Sequence, residues 1–196
     1  MADFEKAYQR TMGTEGGYAN NPRDTGGETY KGISRDNWPR WSGWPIVDGV
    51  KNNLLRQPLY GSPIYKNWVR ELNRQLAGSP LLQQSVMSFY RSNFWGVLGD
   101  ITYQRVAEEV FDKRVNCGDV ACRWIQRAAG AAADGVIGPK SITAINAADP
   151  AALLEEFNET AQRYYEGIIQ RDPSQAVFRH SWLGRLKNYD DSPFVA

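Results

Sequence analysis

The sequence predicts a mainly α protein with one small β excursion between Gly17 and Ser34. Three observations carry this prediction. Apolar residues recur at three- and four-residue spacing along most of the chain, the signature of helices that bury one face. One early segment, dense in glycine and turn formers, switches to alternation. The hydrophobic share, 42% of 196 residues, suffices for a packed core.

The elements follow in order. Phe4, Ala7, Tyr8, Thr11 and Met12 form a helical stripe with Asp3 placed to cap its start and Gly16-Gly17 to stop it. Asn20 to Gly27 is a run of turn formers, and Glu28-Thr29-Tyr30-Lys31-Gly32-Ile33 alternates as a small β-hairpin would. Trp38, Trp41 and Trp44 recur at three-residue intervals, but Pro39, Gly43 and Pro45 forbid one continuous helix, which predicts an ordered loop. Helical patterns resume over Ile64 to Leu76 and Leu81 to Phe94, broken by Gly78-Ser79-Pro80. Val106, Ala107, Val110 and Phe111 mark the next helix, and Ala121, Trp124, Ile125 and Ala128 another that ends at Gly130. Asp134-Gly135 makes a turn, Pro139 opens a helix, and Leu154, Phe157, Ala161, Tyr164 and Ile168 define a long final one. No internal repeat is evident.

Composition removes several classes of function. A formal net charge of +1 lacks the basic excess of proteins that neutralise phosphates, so nucleic acid is not the expected partner. No segment approaches the roughly 20 apolar residues of a membrane span, and the first residues lack the apolar core of a signal peptide. Membrane insertion and signal-led export are therefore not expected. Cys117, Cys122 and the single His180 make neither a disulfide framework nor a zinc-ligand set, which leaves the thiols structural. His180, near Trp182 and Arg185, is read as a surface or packing residue rather than a base.

Glu15 carries the chemistry. Continuing the stripe of Tyr8, Thr11 and Met12 puts its carboxylate on the apolar face of the first helix, at the end where the helix dipole is negative. Desolvation and the dipole both favour the protonated acid. A glycosidase needs that state: one acid protonates the bridging oxygen while a second carboxylate stays ionised. Asp24, in a polar glycine-rich turn whose backbone N–H groups can hold it charged, is the second carboxylate, and Thr29 is set to help position a water. The competing reading makes Glu15 a solvated helix end and Asp24 an ordinary turn former.

The ordered set Glu15-Gly16-Gly17-Tyr18, Pro22, Asp24, Gly26-Gly27, Thr29, Gly32-Ile33 and Ser34 resembles the opening signature of glycoside hydrolase family 108, the phage and bacterial N-acetylmuramidases. More distantly it is similar to the Glu, Asp and Thr triad of phage-type lysozymes. The resemblance implies a lysozyme-like helical fold with a small β-hairpin after the first helix. It also implies hydrolysis of the β-1,4 bond between N-acetylmuramic acid and N-acetylglucosamine in bacterial peptidoglycan, with no metal or organic cofactor. A second run resembles the C-terminal peptidoglycan-binding part of that family: Phe111-Asp112, Val115-Asn116, Gly118, Ala121, Ile125-Gln126, Asp134 to Pro139, and Ser141. Tyr90 with Phe94-Trp95, and Phe178 with Trp182-Leu183 and Arg185, extend the likeness, although Ser181 stands where glycine is expected. Residues 36–84 depart from the pattern. The expected organisation is a catalytic part over residues 1–99 and a helical peptidoglycan-binding-like part over 100–196, acting as a monomer.

Trp38, Trp41 and Trp44 are candidates to stack on sugar rings, against packing of the ordered loop. Tyr18 and Tyr30 beside the catalytic turn divide the same way between hairpin packing and contact with substrate hydroxyls. Whether the reaction retains or inverts configuration stays open, because sequence does not give the carboxylate separation. Two rivals differ in product: a lytic transglycosylase would leave a 1,6-anhydro sugar, and a wall-binding accessory protein would leave the glycan intact. Without a signal peptide, delivery to the wall would need a holin lesion, a phage particle or a secretion system.

Overall fold

The computed structural model describes residues 1–12, 16–21, 27–54, 56–187 and 194. It is mainly helical with a small antiparallel sheet near the start of the chain, consistent with a lysozyme-like mainly-α fold. The backbone gathers into two compact bodies: residues 12–93, and residues 1–11 together with 94–196.

In the first body the sheet is β1 (Tyr18–Asn20), β2 (Glu28–Tyr30) and β3 (Ile33–Ser34), in that spatial order. The expected two-stranded hairpin is thus extended by one strand. Three residues are too few to show alternation, so β1 was invisible as a pattern, yet it pairs with β2 in register Tyr18 to Tyr30, Ala19 to Thr29 and Asn20 to Glu28. Between β2 and β3 only Lys31 and Gly32 intervene, with φ of 46° and 77°. Left-handed values at both central residues define the tight hairpin turn whose twist matches that of its strands.

The expected loop over Trp38 to Pro45 holds only as far as Gly43, because α2 runs from Trp44 to Asn53. Proline here opens the helix instead of breaking it: Pro45 stands in the first turn, where its missing N–H costs nothing. Helices α3 (Tyr65–Ala77) and α4 (Pro80–Tyr90) follow. Tyr65, Trp68, Leu72 and Leu76 bury one stripe of α3, and Ser79 caps α4 by accepting from the Leu82 N–H at 3.3 Å.

The second body begins with α1 (Phe4–Met12), all but its last residue. The Asp3 carboxylate accepts from the Glu5 N–H at 2.8 Å, the cap the sequence predicts. Phe4 packs on Trp95 and Phe111 with ring centroids 5.7 and 5.9 Å apart. One π-helical turn (Arg91–Trp95) and a 3-10 turn (Gly96–Asp100) lead from α4 to α5 (Gln104–Cys117), then α6 (Val120–Ala128), α7 (Pro139–Ala147), α8 (Pro150–Arg171) and α9 (Arg179–Lys187). Along α8, Leu154, Phe157, Ala161 and Tyr165 are buried. Glu109, fully buried on α5, is paired with Arg105 at 3.0 Å and Lys113 at 3.5 Å and accepts from Asn158 at 2.8 Å. A charge held in the core demands such partners.

Gln126 organises the turn after α6. Its amide N–H donates to Asp134 Oδ1, the Val136 carbonyl and Ser141 Oγ at 2.8 to 3.1 Å, and its oxygen accepts from the Gly135 N–H at 2.9 Å. Gly135, at φ 89°, occupies a conformation that side chains avoid. The spacing of Gln126, Asp134 and Gly135 is therefore a physical device: a buried amide satisfies a turn that has no helix or strand partner. Cys117 lies 3.2 Å from the Tyr165 hydroxyl, and burial pushes both thiols above their usual range.

Candidate active site

Glu15 and Asp24 lie outside the described residues. The structure describes what stands on either side of them. Asn20 and Glu28, at the two ends of the turn segment, are register partners. Side chains alternate across a sheet, so Tyr18, Glu28 and Tyr30 share one face and Ala19 and Thr29 the other. Thr29 is half-buried, while Tyr18 and Tyr30 are buried, which marks the tyrosine face as the core side.

The core face is held by polar contacts from each of the three helices of this body. Glu28, which sequence reasoning did not single out, is the hub. Its Oε1 accepts from the Tyr18 hydroxyl at 2.8 Å and from Lys51 Nζ of α2 at 2.5 Å, and its Oε2 is paired with Arg35 at 2.5 Å. Arg35 continues to Asp48 through a two-pronged contact at 3.0 and 2.6 Å and lies 4.2 Å above the Trp44 ring. From α3, Asn73 Oδ1 accepts from the Tyr18 N–H at 2.7 Å. A Cβ at Gly17 would lie 2.1 Å from that oxygen, so only glycine admits the bond. From α4, Gln83 bridges the Tyr30 hydroxyl and Lys31 Nζ at 3.0 and 2.8 Å, while Tyr90 donates to the Lys31 carbonyl at 2.6 Å. This last bond, with Lys31 N–H to Gly17 O at 3.1 Å, secures a non-glycine residue at positive φ.

Burial sets the electrostatics of the tyrosines. It pushes the Tyr18 phenol well above its ordinary range, and the hydrogen bond and charge of Glu28 push it further. Burial raises Tyr30 too and lowers Lys31. Both phenols are therefore neutral at physiological pH, and the Tyr18 proton is committed to Glu28.

The five predicted aromatic residues separate. Tyr18 packs edge-on to Trp68, and Tyr30 stacks on Trp41 at 6.4 Å and 18°. Trp41 in turn meets Trp44 at 5.1 Å and 88°. These four are at most 8% exposed, whereas Trp38 is 39% exposed and lines an open groove with Trp41 and one side of α4. His180 is exposed on α9. Among the described residues no group of three or more His, Cys, Asp and Glu side chains is disposed to hold a metal ion, and no helix is long and apolar enough to cross a membrane.

Comparison with known proteins agrees with this architecture. The structure of Brucella abortus SagA superposes with a TM-score of 0.60 over 94% of this chain and 89% of that one, at 22% identity, a likeness of fold. No curated protein matches. Residues 120–187 match the model described as a predicted peptidoglycan domain, which points to peptidoglycan as the partner. Residues 8–118, more than half of the chain and a span that includes Glu15, Asp24 and Thr29, match the model of glycosyl hydrolase 108. The chain is a glycoside hydrolase acting on peptidoglycan and belongs to the glycosyl hydrolase 108 family.

Proposed function

We propose that this protein is a muramidase that hydrolyses the β-1,4 bond between N-acetylmuramic acid and N-acetylglucosamine, with Glu15 as the general acid. The observation that carries this reading is the family match over residues 8–118, a span within which Glu15, Asp24 and Thr29 fall. The alternation of β2 supports the role of Thr29, since it turns this hydroxyl to the face opposite the packed tyrosines.

In the reaction, Glu15 gives its proton to the bridging oxygen as the C–O bond breaks, and positive charge grows on the ring carbon. Asp24, ionised, stabilises that charge or orients the attacking water, and the Thr29 hydroxyl completes the water site. The water adds its oxygen to the ring carbon and releases a proton to a carboxylate, which balances the step. Residues 1–99 carry the catalysis and residues 100–196 hold the wall, with the enzyme acting as a monomer in an endolysin-like, bacteriolytic role.

The test is reducing-end release from purified peptidoglycan by the wild type and by Glu15→Gln, which keeps the shape and removes the transferable proton. Loss of a general acid costs roughly 10²- to 10⁴-fold, so the folded variant should be nearly silent. Equal release by both would refute Glu15. Mass spectrometry of the products separates hydrolysis, which yields reducing sugars, from transglycosylation, which yields 1,6-anhydro ends.

A further inference from the structure

An open groove in the 12–93 body is built from residues 37–42 and from one side of α4 with the turn after it. It has a volume of about 570 Å³, within the range of roughly 300–1,000 Å³ that holds small ligands. One wall is the loop that carries Trp38, Arg40 and Trp41, and the other is one side of α4 with the turn after it, presenting Ser85, Ser88 and Ser92.

The loop is fastened at each step. The Trp38 N–H donates to the Ser34 carbonyl at 2.9 Å, and the Trp38 carbonyl accepts from the Trp44 indole at 2.8 Å. Trp41 donates its indole N–H to the Ser85 carbonyl at 3.4 Å, and the Ser42 and Ser85 hydroxyls meet at 2.9 Å. A Cβ at Gly43 would fall 2.3 Å from the Trp41 ring, so this tight passage requires glycine. The Trp38 ring is pinned against Phe89 at 4.9 Å and 87°, yet 39% of the residue remains exposed. An indole fixed in place but left open is preorganised for a ligand, because little rotamer freedom remains to be lost on binding.

The polar groups narrow the ligand class. Besides Trp38, the groove is lined by serines, by Asn37 and Asn93, and by Arg40 two residues along the same loop. Among the described residues no carboxylate lines it. Such a surface suits a polyol whose ring has an apolar face and which carries an acidic group nearby. We propose that this groove is a saccharide-binding site for acidic N-acetylated glycan, in which a sugar ring stacks on Trp38 and a lactyl or stem-peptide carboxylate pairs with Arg40. This assignment rests on the reading of the protein as a peptidoglycan hydrolase and adds an acid-selective subsite to it.

The test uses the full chain carrying Glu15→Gln, so that ligand persists, and two probes: a muramic-acid disaccharide-peptide and an uncharged N-acetylglucosamine oligomer. Binding is followed at the Trp38 indole N–H signal by nuclear magnetic resonance, the signal being identified by its loss in Trp38→Phe. Both probes should shift it saturably, the acidic one with higher affinity. Ser88→Tyr, at an exposed helix position where the fold tolerates change, fills the groove and should weaken both probes at least fivefold, about the threshold for an energetically important contact. Arg40→Ala should weaken only the acidic probe. An unmoved Trp38 signal, or affinities unchanged by Ser88→Tyr, would overturn the site. Equal effects of Arg40→Ala on both probes would overturn its acid selectivity. These readouts need no turnover, so failure of the muramidase reading shows separately, in the reducing-end assay.

Discussion

Replacing Glu28 by Gln removes one charge from beneath the sheet while keeping the shape of the side chain. The glutamine oxygen can still accept from the Tyr18 hydroxyl, so the loss falls on Lys51 and Arg35, both within 2.5 Å of the carboxylate. The Lys51, Arg35 and Glu28 side chains are 21%, 28% and 13% exposed, which places the cluster between two limits. An exposed pair is worth about 0–1 kcal/mol, and removal of one partner from a fully buried pair costs about 3–5 kcal/mol. Asp48 remains to share Arg35, through contacts at 3.0 and 2.6 Å, and softens the loss. The expected cost is about 2 kcal/mol, which lowers Tm by roughly 4–8 °C in a chain of this size. Thermal unfolding followed by circular dichroism and tryptophan emission measures it, and a cycle with Lys51→Met isolates the pair. A Tm within about 1 °C of wild type, or no coupling in the cycle, would refute the claim that Glu28 fastens the sheet to α2.

Two further predictions concern a close approach and a titration. Gly17→Ala should cost about 1–3 kcal/mol, because the new Cβ displaces Asn73 from the Tyr18 N–H, and the penalty should shrink in an Asn73→Ala background; chemical denaturation of the four proteins checks it. The Val136 N–H, then Gln126, hold the Asp134 carboxyl below the usual carboxylate range. Its folded pKa is the lower one, so its contribution is present above the unfolded value and is lost as pH falls through the folded one. Asp134→Asn should therefore flatten the acid limb of the stability curve below about pH 4 and leave its neutral region parallel to wild type; an unchanged acid limb would count against this.

Much of the helical architecture was legible because it depends on short-range periodicity. The stripe of Tyr65, Trp68, Leu72 and Leu76 is readable in the chain and is the buried face of α3. Two elements escaped for physical reasons. β1 is too short to alternate visibly, and α2 opens on a Gly-Trp-Pro run whose residues equally favour a loop. Glu28 escaped because Arg35, Lys51 and Tyr18 converge on it only through tertiary packing. Among the aromatic candidates, spacing could propose Trp38, Trp41 and Trp44 together, but only packing separates the exposed ring from the buried ones. Glu15 and Asp24, which the sequence offers as part of a motif, lie outside the described residues.

The sheet has strands of three, three and two residues, fewer than a free-standing sheet can sustain. Its alignment is imported: α2 reaches it through Lys51, α3 through Asn73, and α4 through Gln83 and Tyr90. A slip of β2 by one residue would turn Thr29 inward and Tyr30 outward and would break the attachments made through Glu28, Tyr30 and Lys31 at once. The three helices thus act as a jig, and amide hydrogens of β2 should exchange only when that jig opens, in step with the helices and not as a local fraying of the strands.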